Sequence, residues 1–170
     1  MSGRTHAMVP AALTAALFNA DPVLTLTAAA AGLAPDIDEP WSVIGMRLWF
    51  LAWWMKYVFG HRTVSHSLLM VVTVAIIGIV ALMPMKIVVA VAIGLLSHLG
   101  LDAMSGGVQL WWPNKDRWVL GRYPVHGGMD QLLLALAMLV TVGCLLLRIS
   151  QEVRTASDEG QQSADIIYLE

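Results

Sequence analysis

Three spacings in this sequence could do chemistry. They are Asp36-Ile-Asp38 in GLAPDIDEP, His61 and His66 in GHRTVSHS, and His98 with Asp102 in SHLGLDAM, with His6 standing apart near the start. Imidazole and carboxylate are the side chains that hold divalent metals as Lewis bases. An ion held with one position left to water lowers the pKa of that water and polarises a phosphoryl or carbonyl oxygen, so these residue types point to metal-assisted hydrolysis. Zinc is the first expectation, with manganese or magnesium as alternatives. A carboxylate outside the ligand set, Asp38 or Asp102, would serve as general base. Arg62 is suited to clamp a phosphate through two parallel hydrogen bonds, and equally to anchor the chain at a lipid headgroup.

Such groups matter because the chain has few others. Of its 170 residues 58% are apolar and 13% charged, about half the charge of an ordinary soluble domain. Ten Lys and Arg against twelve Asp and Glu leave a net charge of −2 and no basic stripe, which argues against nucleic acid as a partner. The single cysteine, Cys144, excludes a disulfide scaffold. The expected class is an all-α integral membrane protein, one unit over 1–147, with a polar, mobile C-terminal tail over 148–170.

The elements follow from apolar runs and their breaks. Ser67–Met85 is uncharged for nineteen residues and reads as a membrane helix. Pro84 and Lys86 mark a turn, a second helix carries His98 and Asp102 at its far end, and Leu132–Leu147 reads as a third span. Two shorter alanine-rich arms, 7–18 and 23–33, flank the turn Asn19-Ala20-Asp21-Pro22. The stretch 41–59 holds Arg47, Lys56 and four of the seven tryptophans, which favours an interfacial or steeply tilted helix over a span.

Helical hairpins bring the polar groups to one membrane face. His66 lies eighteen residues before Pro84, and His98 and Asp102 lie fourteen and eighteen after it. His6 lies thirteen residues before Asn19, and Asp36 fifteen after Asp21, so equal rise gathers all seven candidates together. The predicted metal set is therefore His6, Asp36, Asp38, His61, His66, His98 and Asp102, with Asp38, Arg62 and Asp102 as the catalytic candidates. The segment 105–130 joins the last two helices as a lid with Lys115, Arg117 and Arg122. In it His126 and Asp130 either add a second metal position or, for Asp130, favour a helix N-terminus. Seven cations on the site face against three opposite favour a cytoplasmic site.

Across RTHA at 4–7, GLAPDIDEP at 32–40, HRTVSHSLL at 61–69 and SHLGLDAMSGGVQLWWP at 97–113, the sequence resembles the YdjM-type family of LexA-regulated, membrane-bound, metal-dependent hydrolases. The resemblance runs from His6 to about Trp112. It departs at Ser65, where the family has threonine, and in a tryptophan-rich insert of roughly twenty residues before His61. It implies a multi-pass protein of the bacterial inner membrane. The family's similarity to helical zinc-dependent phospholipases C and nucleases implies a phosphoester or phospholipid-like substrate. The rival reading is a non-enzymatic membrane protein that uses the same ligands for metal transport, sensing or structure. None of this sets an oligomeric state.

Overall fold

The computed structural model describes residues 1–42, 44–59 and 63–167. Six α-helices follow in order: α1 Gly3–Leu17, α2 Pro22–Leu33, α3 Trp49–Phe59, α4 Leu68–Val80, α5 Met85–Ser105 and α6 Gly128–Ile167. Short 3-10 turns cover Ala34–Asp38 and Val64–His66. No strand occurs among the described residues, only an isolated bridge between Val108 and Trp118.

The first two helices form around the expected turn. The Ser2 side chain caps α1 by accepting from the Thr5 N–H. The chain then reverses through Asn19 and Ala20, both in the left-handed region at φ 50°. Asp21 caps α2 by accepting from the Leu24 N–H at 3.0 Å, with Pro22 in the first turn, where its missing N–H costs nothing.

Helix α2 packs on α1 and α5, and α1 also packs on α5 and α6. Small residues make the approach close. A Cβ on Gly94 of α5 would lie 2.6 Å from both the Ala28 carbonyl oxygen and the Ala31 Cβ of α2. A Cβ on Gly32 would run into the His6 carbonyl of α1 and stand 2.7 Å from the Pro10 ring. Pro10 lies inside α1 and has no N–H to donate back to His6, so that carbonyl faces α2 without its helical partner.

Two helices are long and apolar enough to cross a membrane: Met85–Ser105, and Gly128–Gln161 within α6. The helix expected over Ser67–Met85 is shorter than that uncharged run. Ser67 caps α4, which is helical for thirteen residues, about 20 Å against a hydrocarbon core of roughly 30 Å. It ends at Ala81, Leu82 turns through φ 56°, and Pro84 disfavours helix in the residue before it. In 41–59 the helix occupies only Trp49–Phe59, eleven residues or about 16 Å, too short to span. Helix α6 starts four residues before Leu132 and continues through Arg148, where a separate tail was expected. Arg148 pairs with Glu152 at 2.8 Å one turn on and donates to the Ala20 carbonyl at 2.9 Å, so the change in composition there is not a break in the helix.

Asp130 ties the start of α6 to the start of α1. Its Oδ1 accepts from the Thr5 hydroxyl at 2.6 Å and the Ser2 N–H at 3.0 Å, and its Oδ2 accepts from the His126 N–H at 3.0 Å. The carboxylate is only 3% exposed, whereas the His126 side chain is 80% exposed. Asp130→Ala strands the Ser2 and His126 N–H groups and leaves the Thr5 hydroxyl with Ser2 Oγ alone. It is expected to cost about 2–4 kcal/mol, read as a lower denaturation midpoint in detergent.

Candidate metal centre

The cluster forms where four stretches meet. Helix α1 supplies His6, the turn Ala34–Asp38 supplies Asp36 and Asp38, the turn Val64–His66 supplies Ser65 and His66, and α5 supplies His98 and Asp102. Two groups offer ligand atoms that lie within 4.8 Å of one another: His6, His98 and Asp102, and Asp36, His66 and His98. His98 belongs to both. Every member except Asp36 is buried, and Asp36 is 25% exposed.

Ring orientation is set by contacts behind each histidine. The Gly32 carbonyl can only accept, so His98 Nδ1–H donates to it at 2.7 Å. That fixes the tautomer and leaves the Nε2 lone pair facing inward. Around His98 Nε2 stand His66 Nε2 at 3.1 Å, Asp36 Oδ1 at 3.6 Å and Asp102 Oδ2 at 3.8 Å, the last one turn along α5 as the i,i+4 spacing predicts. His66 Nε2 also lies 3.5 Å from Asp102 Oδ2 and 3.7 Å from Asp36 Oδ1. His6 Nε2 is 3.2 Å from Asp102 Oδ1, and its ring sits 4.0 Å from that of His98.

The two carboxylates of Asp36-Ile-Asp38 meet the same imidazole from different sides. A 3-10 turn places residues two apart on different sides. Asp36 accordingly faces Nε2 of His66, while Asp38 Oδ2 stands behind the ring, 3.5 Å from Nδ1. Asp38 thus stands outside both ligand groups. Ser65 donates to Asp38 and lies 3.0 Å from His66 Nδ1, so it bridges carboxylate and imidazole. Sequence reasoning passed over Ser65 and the Gly32 carbonyl. The serine next to His66 was a visible signal, whereas a carbonyl leaves none.

The donor set fits a divalent ion: imidazole nitrogens and carboxylate oxygens, with a buried His6 Nδ1 that has no hydrogen-bond partner among the described residues. The structure brings together His6, Asp36, Asp38, His66, His98 and Asp102. His61 and Arg62 lie outside the described residues.

Residues 1–157 match the family described as YdjM inner membrane protein. The chain belongs to the YdjM family. Among its relatives, it is 38% identical to the uncharacterized protein YvsG of Bacillus subtilis (strain 168) over 141 residues, which are 79% of this chain and 88% of that one. It is 31% identical to the inner membrane protein YdjM of Escherichia coli (strain K12) over 120 residues, 64% of this chain and 59% of that relative. The match thus spans less than two thirds of the latter protein's length. No solved structure matches. Membership places this chain among inner membrane proteins, in keeping with its two long apolar helices.

In this YdjM-family site the charge state of His66 is set by opposing effects. Burial disfavours its charged form, but contacts with Asp36 and Asp38 and the field of Asp102 outweigh that and push it up to about 9. For Asp36 burial acts upward, and the imidazole of His66 together with the field of His98 outweighs it, holding the carboxyl below its ordinary value. A protonated His66 donates its Nε2–H to the lone pair of His98 Nε2, which accounts for their 3.1 Å approach. A cation taking His66 Nε2 must displace that proton. Affinity for zinc is therefore expected to rise about tenfold per pH unit up to pH 9 and to fall toward acid, measured by chelator competition at several pH values.

Proposed function

We propose that this cluster binds a divalent ion, zinc before manganese or magnesium. In this reading the chain is a membrane-embedded, metal-dependent hydrolase of a phosphoester, with a phospholipid-like substrate. The observation that carries the reading is the convergence of buried imidazoles and carboxylates from four separate stretches in a chain with so few ionisable groups. Burying such groups is expensive, and an ion that draws them together offsets the cost.

A divalent ion bound there acts as a Lewis acid and makes water a nucleophile near neutral pH. His6, Asp36, His66, His98 and Asp102 would hold it. Gly32 and Asp38 with Ser65 keep the imidazoles turned toward it. Asp36 borders a pocket of about 140 Å³, walled by Leu33, Trp41, Ser42 and Ile44, through which water would reach the ion. Of the two carboxylates suited to take the proton from water, Asp38 is the one outside this ligand set. His61 as a further ligand and Arg62 as the phosphate clamp complete the proposal.

We place the site at one membrane face, the cytoplasmic one, of a multi-pass protein built from helical hairpins over 1–147, with 148–170 outside. Support comes from α6 touching α1 near both ends, through Asp130 at Thr5 and Arg148 at Ala20. His6 lies one residue from the first of these contacts, so the cluster belongs to that end. The cation count of the sequence agrees in sign.

The test is to purify the full chain, saturate it with zinc, count bound metal, and assay phospholipid and soluble phosphoester hydrolysis for wild type and Asp36→Ala. Turnover and metal in the wild type are expected, with turnover lost and metal content reduced in the variant. A wild type that takes up no metal ends the reading. The deep burial of His66, His98 and Asp102 favours one rival, an ion that is structural or carried. Stoichiometric metal without turnover establishes that rival, and zinc flux in liposomes distinguishes its two forms.

The position assigned to Asp38 has its own consequence. Asp38→Asn removes the charge behind His66 but no ligand. It is expected to weaken zinc binding about 10–100-fold while the protein stays folded, as measured by chelator competition.

A further inference from the structure

An apolar groove of about 300 Å³ lies against the same helix that carries His98 and Asp102. One wall is the face of α5 bearing Leu96, Leu99, Gly100 and Ala103. Leu99 and Ala103 each follow a cluster residue by one position, about 100° around the helix, so groove and cluster occupy adjacent faces. Leu68, two residues after His66, closes a second side.

The third wall is the connection between α5 and α6, through Leu110, Trp118 and Leu120. This wall is fastened to the helices by backbone hydrogen bonds. The Leu68 N–H donates to the Leu110 carbonyl at 3.0 Å, and the Leu120 N–H to the Ala103 carbonyl at 2.8 Å. Val108 and Trp118 exchange two more, at 3.0 and 2.8 Å. The groove is thus preformed. Gly100 supplies the opening in the α5 face, since a Cβ there meets nothing within 4 Å.

The same connection carries Lys115, Arg117 and Arg122, all exposed, against one acidic residue, Asp116. Two of these cations stand within two residues of the wall residues Trp118 and Leu120. An apolar trough walled by a cation-rich connection, opening from a helix long enough to cross the membrane, is complementary to one end of an anionic phospholipid. Chain goes in the trough and phosphate goes to the cations.

We propose that this groove seats an acyl chain of an anionic membrane phospholipid and so selects the substrate class of the neighbouring metal cluster. The inference rests on the hydrolase reading for its functional part, and on the groove alone for binding.

The test uses the full-length, zinc-loaded chain in phosphatidylcholine nanodiscs containing phosphatidylglycerol with a diazirine-bearing acyl chain, mapped by mass spectrometry after illumination. Label is expected in 96–120 above that on the exposed face of α6. Gly100→Leu, which fills the opening, should lower it about tenfold there and leave α6 labelling unchanged. Gly100→Ala serves as the folded control. Trp118→Ala, on an exposed loop residue, gives a second route to the same loss by opening the wall.

Label spread evenly over the apolar helices, or unmoved by both Gly100→Leu and Trp118→Ala, overturns the groove. Equal labelling when the same diazirine chain is carried by phosphatidylcholine instead overturns its preference for anionic lipid. Hydrolysis is read in parallel, with long-chain phosphatidylglycerol and a soluble phosphodiester. Gly100→Leu is expected to slow the first and spare the second, and equal slowing of both overturns the selecting role. Groove labelling with no hydrolysis of either substrate by wild type removes the hydrolase reading, and the selecting role with it, and leaves a lipid-binding groove.

Discussion

His98→Ala is expected to retain less than about a tenth of the zinc bound by the wild type after saturation and desalting, the largest loss of any single substitution in the cluster. The reason is its place in both ligand groups, whose remaining members, His6 with Asp102 and Asp36 with His66, are then pairs. The substitution also removes the donor to the Gly32 carbonyl, leaving a buried acceptor at a cost of about 1–3 kcal/mol. Metal analysis and a thermal melt on the same preparation separate the two effects. His6→Ala should do less to metal content, because the group of Asp36, His66 and His98 survives it. Undiminished zinc in His98→Ala would move the ion to other residues.

Gly94→Val is expected to be the most damaging substitution far from any ligand. A Cβ at this position already stands 2.6 Å from the Ala28 carbonyl and the Ala31 Cβ, and 2.9 Å from the Gly32 nitrogen. None of these can swing aside by changing rotamer, so α2 and α5 must separate. A single added methyl, Gly94→Ala, should cost about 1–3 kcal/mol and the branched side chain more. The effect reaches the cluster, since Gly32 on α2 orients His98 on α5. Both a lower melting temperature and weaker zinc binding are expected. Gly100→Ala, on the same helix but facing open space, should be neutral or slightly stabilising. Equal melting of Gly94→Ala and Gly100→Ala would remove the packing argument.

Much of this arrangement was legible because its signals are local. The turn at Asn19–Pro22 carries its chemistry in four adjacent residues. The i,i+4 spacing of His98 and Asp102 places them together on any helix. Counting residues from each turn brought His6, Asp36, His66, His98 and Asp102 to one place without tertiary information.

The misreadings concern where a helix stops. Hydropathy continues smoothly from Ser67 to Met85, but helix geometry ends at Val80, because Pro84 acts on the backbone before it and hydropathy carries no record of that. At Arg148 the reverse holds. Composition turns polar while the backbone continues as helix, since exposed polar residues such as Gln151, Glu152 and Arg154 are good helix formers. The separation of Asp36 from Asp38 was hidden for a third reason. Loop and 3-10 turn look alike after a proline, yet they send neighbouring carboxylates in different directions.

The clasp between Thr5 and Asp130 joins residues 125 positions apart, the beginning of the first helix to the beginning of the last. A ribosome making this chain must finish the donors at 36, 66, 98 and 102 well before it delivers the residue that fastens α1. Until then the helix bearing the histidine at position 6 is held by α2 and α5 alone. The last bond that fastens the first helix therefore becomes available only after all five donors have been made.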